Sequence, residues 1–350
     1  MIKYLCRRSA GLSAAAFAFG LVGLACSAFA HGDHGGGADG SVLPPGVTVV
    51  TLQYDVVDYR QISDARLSAL AVAGFSEVHS LRSIAVPSVG VAYGLTKDFT
   101  IAARLPYLAN QEIRETDIAL PGVNPRGGVY GIGDASFTGT YRFLDDHHAG
   151  IEAAIIFGFK APTGRTNAVD ANGELFETEH QPGSGSWDAL LGASVTKQIG
   201  LWSLGANALY ARSGAGSQDT RLGDRLSTGV SASYRIWSDG GGHGDAMHLG
   251  GAFDGMMHHG GVDHNAAEPS LAKALDVSLG LNGQWSGKQT IAGEQDGNTG
   301  GTVVFLTPGL RLSVDKWSGF VNVGIPVARQ LNGIQSEPRL QVSTGVAVRF

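Results

Sequence analysis

The chain has 350 residues, 52 of them glycine, only 16% charged residues and a formal net charge of −6. That balance excludes a nucleic-acid partner, which would need a basic stripe to meet phosphates. Beyond the N-terminus no apolar run reaches the roughly 18–20 residues of a membrane-spanning helix.

Residues 1–30 read as a signal peptide. Lys3, Arg7 and Arg8 form a charged start, an apolar stretch follows, and Ala28-Phe29-Ala30 fits the A-x-A cleavage pattern. A lipoprotein site at Cys26 is the weaker alternative, because Gly23 stands where a large aliphatic residue belongs. Cys6 and Cys26 both leave with this segment, so the mature chain has no disulfide and no thiol chemistry. Its charge is then 22 Lys+Arg against 31 Asp+Glu, or −9. A His/Gly-rich tail over 31–46 is expected next, on the periplasmic side.

From residue 47 the chain alternates. In GIGDASFTGTYRF (131–143), Asp134, Ser136, Thr138, Thr140 and Arg142 fall on one side, and Ala135, Phe137, Gly139, Tyr141 and Phe143 on the other. Side chains of a strand point alternately to opposite faces. The pattern recurs in 225–236, 275–285 and 339–350. Soluble sandwiches alternate too, but with shorter strands. Segments of about 10–14 residues suit a tilted bilayer crossing.

Twelve strands are expected, at 47–60, 82–93, 99–113, 131–143, 149–160, 187–197, 200–212, 224–236, 271–285, 301–314, 318–330 and 338–350. Short links at 94–98, 144–148, 197–200 and 315–318 alternate with long ones at 63–81, 114–130, 161–186, 213–223, 286–300 and 331–338. Short periplasmic turns opposite long outer loops mark an outer-membrane barrel. The expected fold is all-β: an up-and-down antiparallel transmembrane β-barrel over 47–350. A His/Met/Gly-rich loop insertion at 238–268 would face the periplasm. Lipid cannot satisfy open sheet edges, so the sheet must close on itself. Its greasy face then meets outer-membrane lipid, and its wet face lines a lumen.

Aromatics gather at segment ends (Tyr93, Phe99, Tyr107, Phe143, Trp187, Tyr210, Trp237, Trp285 and Trp317), as interfacial girdles do. Pro87, Pro106, Pro308 and Pro326 need strand ends or bulges, since proline cannot donate to the ladder. The terminal Phe350 resembles the signal that barrel-assembly machinery reads. Inward positions carry Arg104, Asp134, Arg142, Glu152, Lys160, Arg235, Asp276, Arg311 and Arg349. These charges either tune selectivity along an open lumen or pair with one another and hold the interior shut.

YGLTKDFTIAARLPYL (93–108), GIGDASFTGTYRF (131–143) and GFKAPTGR (158–165) resemble the outer-membrane family described as "putative MetA-pathway of phenol degradation", over about residues 82–350. The resemblance implies a β-barrel that passes small, including aromatic, molecules. It supplies no catalytic residues. The His-rich stretch at 238–268 departs from the family pattern.

The eleven histidines are unevenly placed. His31 and His34 open the mature chain. His243, His248, His258, His259 and His264 cluster with Met256 and Met257 in the insertion. His147 and His148 occupy a short turn, and only His79 and His180 fall on outer loops. Imidazole suits Cu and Zn, and thioether suits Cu(I). The periplasmic set is therefore a candidate capture surface for copper or zinc, the only cofactors the chain suggests. The alternative is a solvated tract without ligand role.

No G-x-S-x-G, H-E-x-x-H, Rossmann or P-loop motif occurs, so no enzyme is expected. The expected function is an outer-membrane transporter or channel for small solutes, linked to metal or aromatic compounds. A non-conducting, metal-binding or structural barrel is the alternative.

Overall fold

The computed structural model describes residues 42–75, 78–117, 122–239 and 273–350. The barrel strands are β1 (Thr48–Arg60), β2 (Ser83–Thr96), β3 (Phe99–Asp117), β4 (Ser136–Asp146), β5 (Ile151–Lys160), β6 (Asp188–Ile199), β7 (Trp202–Arg212), β8 (Arg225–Asp239), β9 (Lys273–Ser286), β10 (Gly301–Val314), β11 (Trp317–Leu331) and β12 (Glu337–Arg349). Each pairs antiparallel with its sequence neighbour. The pairing β1–β12 joins the chain ends, Val49 against Arg349, and the terminal Phe350 exchanges backbone hydrogen bonds with Thr48. The pairing β3–β4 runs from Phe99↔Tyr141 to Arg104↔Ser136 and completes a closed twelve-stranded barrel. Among the described residues, the barrel sheet leaves no open edge for lipid to meet.

The alternation sorts as physics requires. On β9, Leu279, Leu281 and Trp285 point outward and are 52%, 45% and 41% exposed, whereas Asp276, Asn282 and Gln284 point inward and are each 8% exposed. Eight of the nine expected girdle aromatics lie exposed on the outer surface; Phe99 is half-buried and stacks on Phe157 with ring centroids 6.0 Å apart. The two belts can be measured along β9. Trp285 faces Leu226 beside Tyr210, and Leu275 faces Trp237. Those levels are ten residues apart, about 33 Å along the strand and about 25 Å at a tilt near 40°. That is the height of an outer-membrane apolar band.

The prolines fall where the ladders break. The β2–β3 pairing skips from Ala85↔Ala109 to Ser88↔Pro106, passing Pro87. The β10–β11 pairing skips from Leu306↔Ile325 to Gly309↔Asn322, passing Pro308, and Pro326 lies beside a bulge at Val304/Phe305.

Three expectations need correction. Residues 114–130 are not a plain link: β3 runs on to Asp117 and pairs there with an outer segment, Gly122–Ile132. That segment bonds to β3 on one side only, so Pro125 is tolerated. Consequently 131–143 is not one strand; the chain kinks at Gly133–Ala135 before β4 starts. Between β1 and β2 there is a helix, α1 (Asp64–Val72), in a stretch expected to be a link. Ser63 caps it by accepting from the Arg66 N–H, and Leu67 and Ala71 form its buried face. Leu67 packs with Ile62 and Val78 over the outer rim.

Candidate functional site

The third correction concerns the lumen, which is not uniformly polar. At mid-height the inner wall is hydrophilic. Asp55 on β1 meets Arg104 on β3 at 3.0 Å and accepts from Ser343 on β12 at 2.6 Å. Toward the short-turn end, Arg235 on β8 grips Asp276 on β9 through Nε and Nη2, at 2.7 and 3.1 Å. Nearer the outer rim β1, β2, β3 and β10 turn Val57, Ile84, Val86, Leu108, Val303 and Phe305 inward, all at most 3% exposed. These residues form one cluster although β10 is not a hydrogen-bonded neighbour of β1, β2 or β3. The cluster therefore crosses the barrel interior. Phe176, from the long 161–187 loop, is fully buried in it. Water has no place among such side chains.

The signal for this collar was in the sequence, in the places where alternation lapses: Ile84-Ala85-Val86 and Val303-Val304-Phe305-Leu306 are apolar on both faces. Nothing local marked Phe176, which lies in an irregular loop.

The structure places the inward charges in three sets. Arg104 with Asp55 stands at mid-height; Arg235 with Asp276 lies at the short-turn end, one residue from the Leu275–Trp237 level, with Arg311 beside Asp276 in register on β10. Arg142 sits toward the short-turn end, bridging Glu152 at 3.2 Å, Asp98 at 3.3 Å and Asp145 at 3.1 Å. Arg349, half-buried, closes the same end at the β1–β12 seam. Asp134 and Lys160 lie at the root of the 161–187 loop.

That root explains two of the quoted motifs. Asp134, in the kink before β4, accepts from the Gly164 and Ser184 N–H groups at 2.9 Å each and pairs with Lys160 at 2.6 Å. Lys160 also meets Asp188 at 3.4 Å, and Arg225 reaches Asp188 at 3.2 Å. Thr163 Oγ1 accepts from the Ala135 N–H at 2.8 Å. At Gly164 an added Cβ would lie 2.6 Å from Gly183 and 2.7 Å from Gly133, so only glycine fits. GIGD and KAPTG thus dock on each other and on Gly183-Ser184. They fold the loop over the barrel mouth, where it delivers Phe176.

Above the collar, outside the outer belt, lies a buried polar cluster. His79 lies in a two-residue strand paired with Arg114–Glu115, where β3 projects past the belt. Its Nε2 is 3.1 Å from Glu115 and 3.7 Å from Glu177. His180 packs edge-on against it, ring centroids 4.6 Å apart. Arg126, from the outer segment, meets Glu115 at 3.0 Å and Asp170 at 2.9 Å and lies over the Phe176 ring at 5.2 Å. Burial alone would lower the His79 pKa. The bond to Glu115 and the fields of Glu177 and Glu179 outweigh it and raise the value to about 9. Burial raises Glu179 to about 7, assisted by Glu177 and opposed by His79. His180 is pushed well below its ordinary value by burial, then by the charges of His79 and Arg126. One histidine is thus a cation and its neighbour a neutral base.

The candidate metal ligands His31, His34, His243, His248, Met256, Met257, His258, His259 and His264 lie outside the described residues. Sequence reasoning passed over the two outer-loop histidines that the fold brings together. They are 101 residues apart in the chain and share no motif.

The family model described as "Putative MetA-pathway of phenol degradation" matches residues 114–248 and bears out the resemblance there. Among solved structures, the chain is similar to an outer membrane channel from Pseudomonas putida, with TM-score 0.52 and 17% identity over 91% of this chain and 98% of that one. It is also similar to the beta domain of a Bordetella autotransporter, with TM-score 0.42 and 10% identity over 87% of this chain and all of that domain (100%). The first of these likenesses is one of fold. No curated protein sequence matches. Closed barrel, lipid-height apolar band and family signature together make the chain a Gram-negative outer-membrane β-barrel.

Proposed function

We propose that this barrel is an outer-membrane channel for small, weakly polar solutes, aromatic rings among them. The observation that carries the reading is the layered interior: a hydrophilic mid-section below an apolar collar that Phe176 stoppers from the outer loop. Ions pay heavily to cross a dry apolar constriction. A small phenol-like ring replaces the collar's side-chain contacts at little cost. The phenol-degradation wording of the matched family points to the same solute class.

The test is uptake by proteoliposomes containing the refolded chain. Phenol-sized aromatics are expected to enter faster than sugars of similar mass, with little ion leak. Equal rates for both, or no uptake above empty liposomes, would contradict the reading. A second reading, a non-conducting barrel, draws on the buried ion pairs of the inner wall, such as Arg104–Asp55, with side chains 3% and 11% exposed. It forecasts no solute flux under any condition. Metal handling by the periplasmic histidines would be a separate property, read by calorimetry with and without residues 238–268.

A further inference from the structure

We infer that His79, Glu179 and His180, with Glu115 and Glu177 beside them, bind one divalent transition-metal cation of the zinc class at the outer mouth of the barrel. Donor geometry is the first ground. One ligand atom each from His79, Glu179 and His180 lie within 4.8 Å of one another, and so do those of His79, Glu115 and Glu177. A tetrahedral zinc site with ~2.0–2.1 Å bonds needs ligand atoms about 3.4 Å apart. Side-chain adjustments of about 1 Å would close the set.

Orphaned atoms are the second ground. His180 is fully buried, yet neither of its ring nitrogens has a hydrogen-bond partner among the described residues. One Glu179 oxygen has no hydrogen-bond partner among the described residues either, and Glu177 Oε2 has only its 3.7 Å ion-pair contact with His79. A buried polar atom left unpaired costs about 1–3 kcal/mol, and such groups call for a missing partner. A metal ion uses the lone pair of a neutral imidazole together with carboxylate oxygens.

Charge is the third. Among the described residues, Glu115, Glu177, Glu179 and Asp170 gather around Arg126 and His79, and His79 must give up its proton to act as a ligand. A divalent ion cancels the excess in a place that water barely reaches. A water molecule could satisfy His180 but would leave that excess standing.

The site joins three parts of the chain: the approach to β2, the projecting end of β3, and the loop carrying Phe176 three residues before Glu179. An ion held there would pin the stopper to the barrel wall. This inference stands apart from solute passage.

The test uses the full mature chain refolded in detergent and stripped with chelator. The nine histidines other than His79 and His180 are replaced by asparagine, so that only this site can report. Zn2+ titration by calorimetry is expected to show about one ion per chain. His180→Ala and Glu179→Gln should each weaken binding at least about tenfold to 100-fold, while the exposed Glu294→Gln leaves it unchanged. In the parent, Zn2+ should slow hydrogen exchange across residues 166–184. This second readout does not depend on any variant folding. No uptake at about 100 μM Zn2+, affinity unaltered by His180→Ala, or exchange insensitive to Zn2+ would each overturn the inference.

Discussion

Two levels of one interior are built on opposite chemistry. At mid-barrel, β1 and β3 direct Asp55 and Arg104 inward, and these pair along the wall. Two to four residues nearer the outer rim, β1 and β3 direct Val57 and Leu108 inward, and these pack across the barrel with Phe305 and Phe176. The polar level tolerates water; the apolar level expels it. The strand pattern sets which residues face in, but closure depends on how far the interior is filled. That filling comes from a loop anchored on Asp134 of GIGD through Gly164 and Ser184, 30 and 50 residues further along the chain.

Breaking the anchor should have the largest effect. Asp134→Ala takes from Lys160 its nearer carboxylate, leaving only Asp188 at 3.4 Å, and strands the N–H groups of Gly164 and Ser184. Removing one partner of such a buried pair costs about 3–5 kcal/mol. Urea unfolding of the lipid-folded protein should show that loss, and limited proteolysis should cut within 161–187. An unchanged midpoint would mean the loop is held elsewhere.

Adjacent residues on β8 test the two faces. Val230 points outward and is 55% exposed, while Ser231 points inward. Val230→Arg puts a charge near the bilayer midplane and should cost about 2–4 kcal/mol. Ser231→Arg should leave stability within about 1 kcal/mol and alter ion selectivity instead. Equal costs would contradict the assignment of faces.

Ser63→Ala removes the α1 cap and should cost about 1 kcal/mol, confined to faster exchange of the first amides of α1. A global loss would show that α1 supports the barrel.

The smallest effect is a pH response at the rim. Burial alone would raise the Asp224 pKa. Hydrogen bonds from Tyr210 and the Ser213 N–H, with nearby Arg221, hold it below its ordinary value. Its stabilisation is therefore present above the unfolded value near ~3.9 and lost as pH falls through the lowered folded value. Exchange at 213–224 should accelerate only in that acid range, and Asp224→Asn should abolish the response.

Most of the fold was legible because lipid imposes a strict period of two. Phe137 and Thr138, or Val230 and Ser231, declare their faces without reference to any partner. The strand count follows from that period. The outer architecture was less legible. Pro125 and the glycines of 122–132 disguised a strand that needs only one neighbour. Ser63, with Gly74 just past the last turn at φ +85°, signalled α1 in a segment read only for its length. The site was hardest to see. Apolar runs such as 303–306 hinted at the collar, but His79, Glu115 and His180 meet only through loop packing, which no spacing records. The conspicuous His/Met tracts drew attention away from them.

The central claim is that an apolar stopper, not the polar wall, closes this barrel. Single-channel recording in planar bilayers, comparing the natural chain with Phe176→Ala, tests it most directly. The account predicts rare, brief openings in the natural chain and sustained conductance in the variant. Identical traces from both proteins, silent or open, would contradict it.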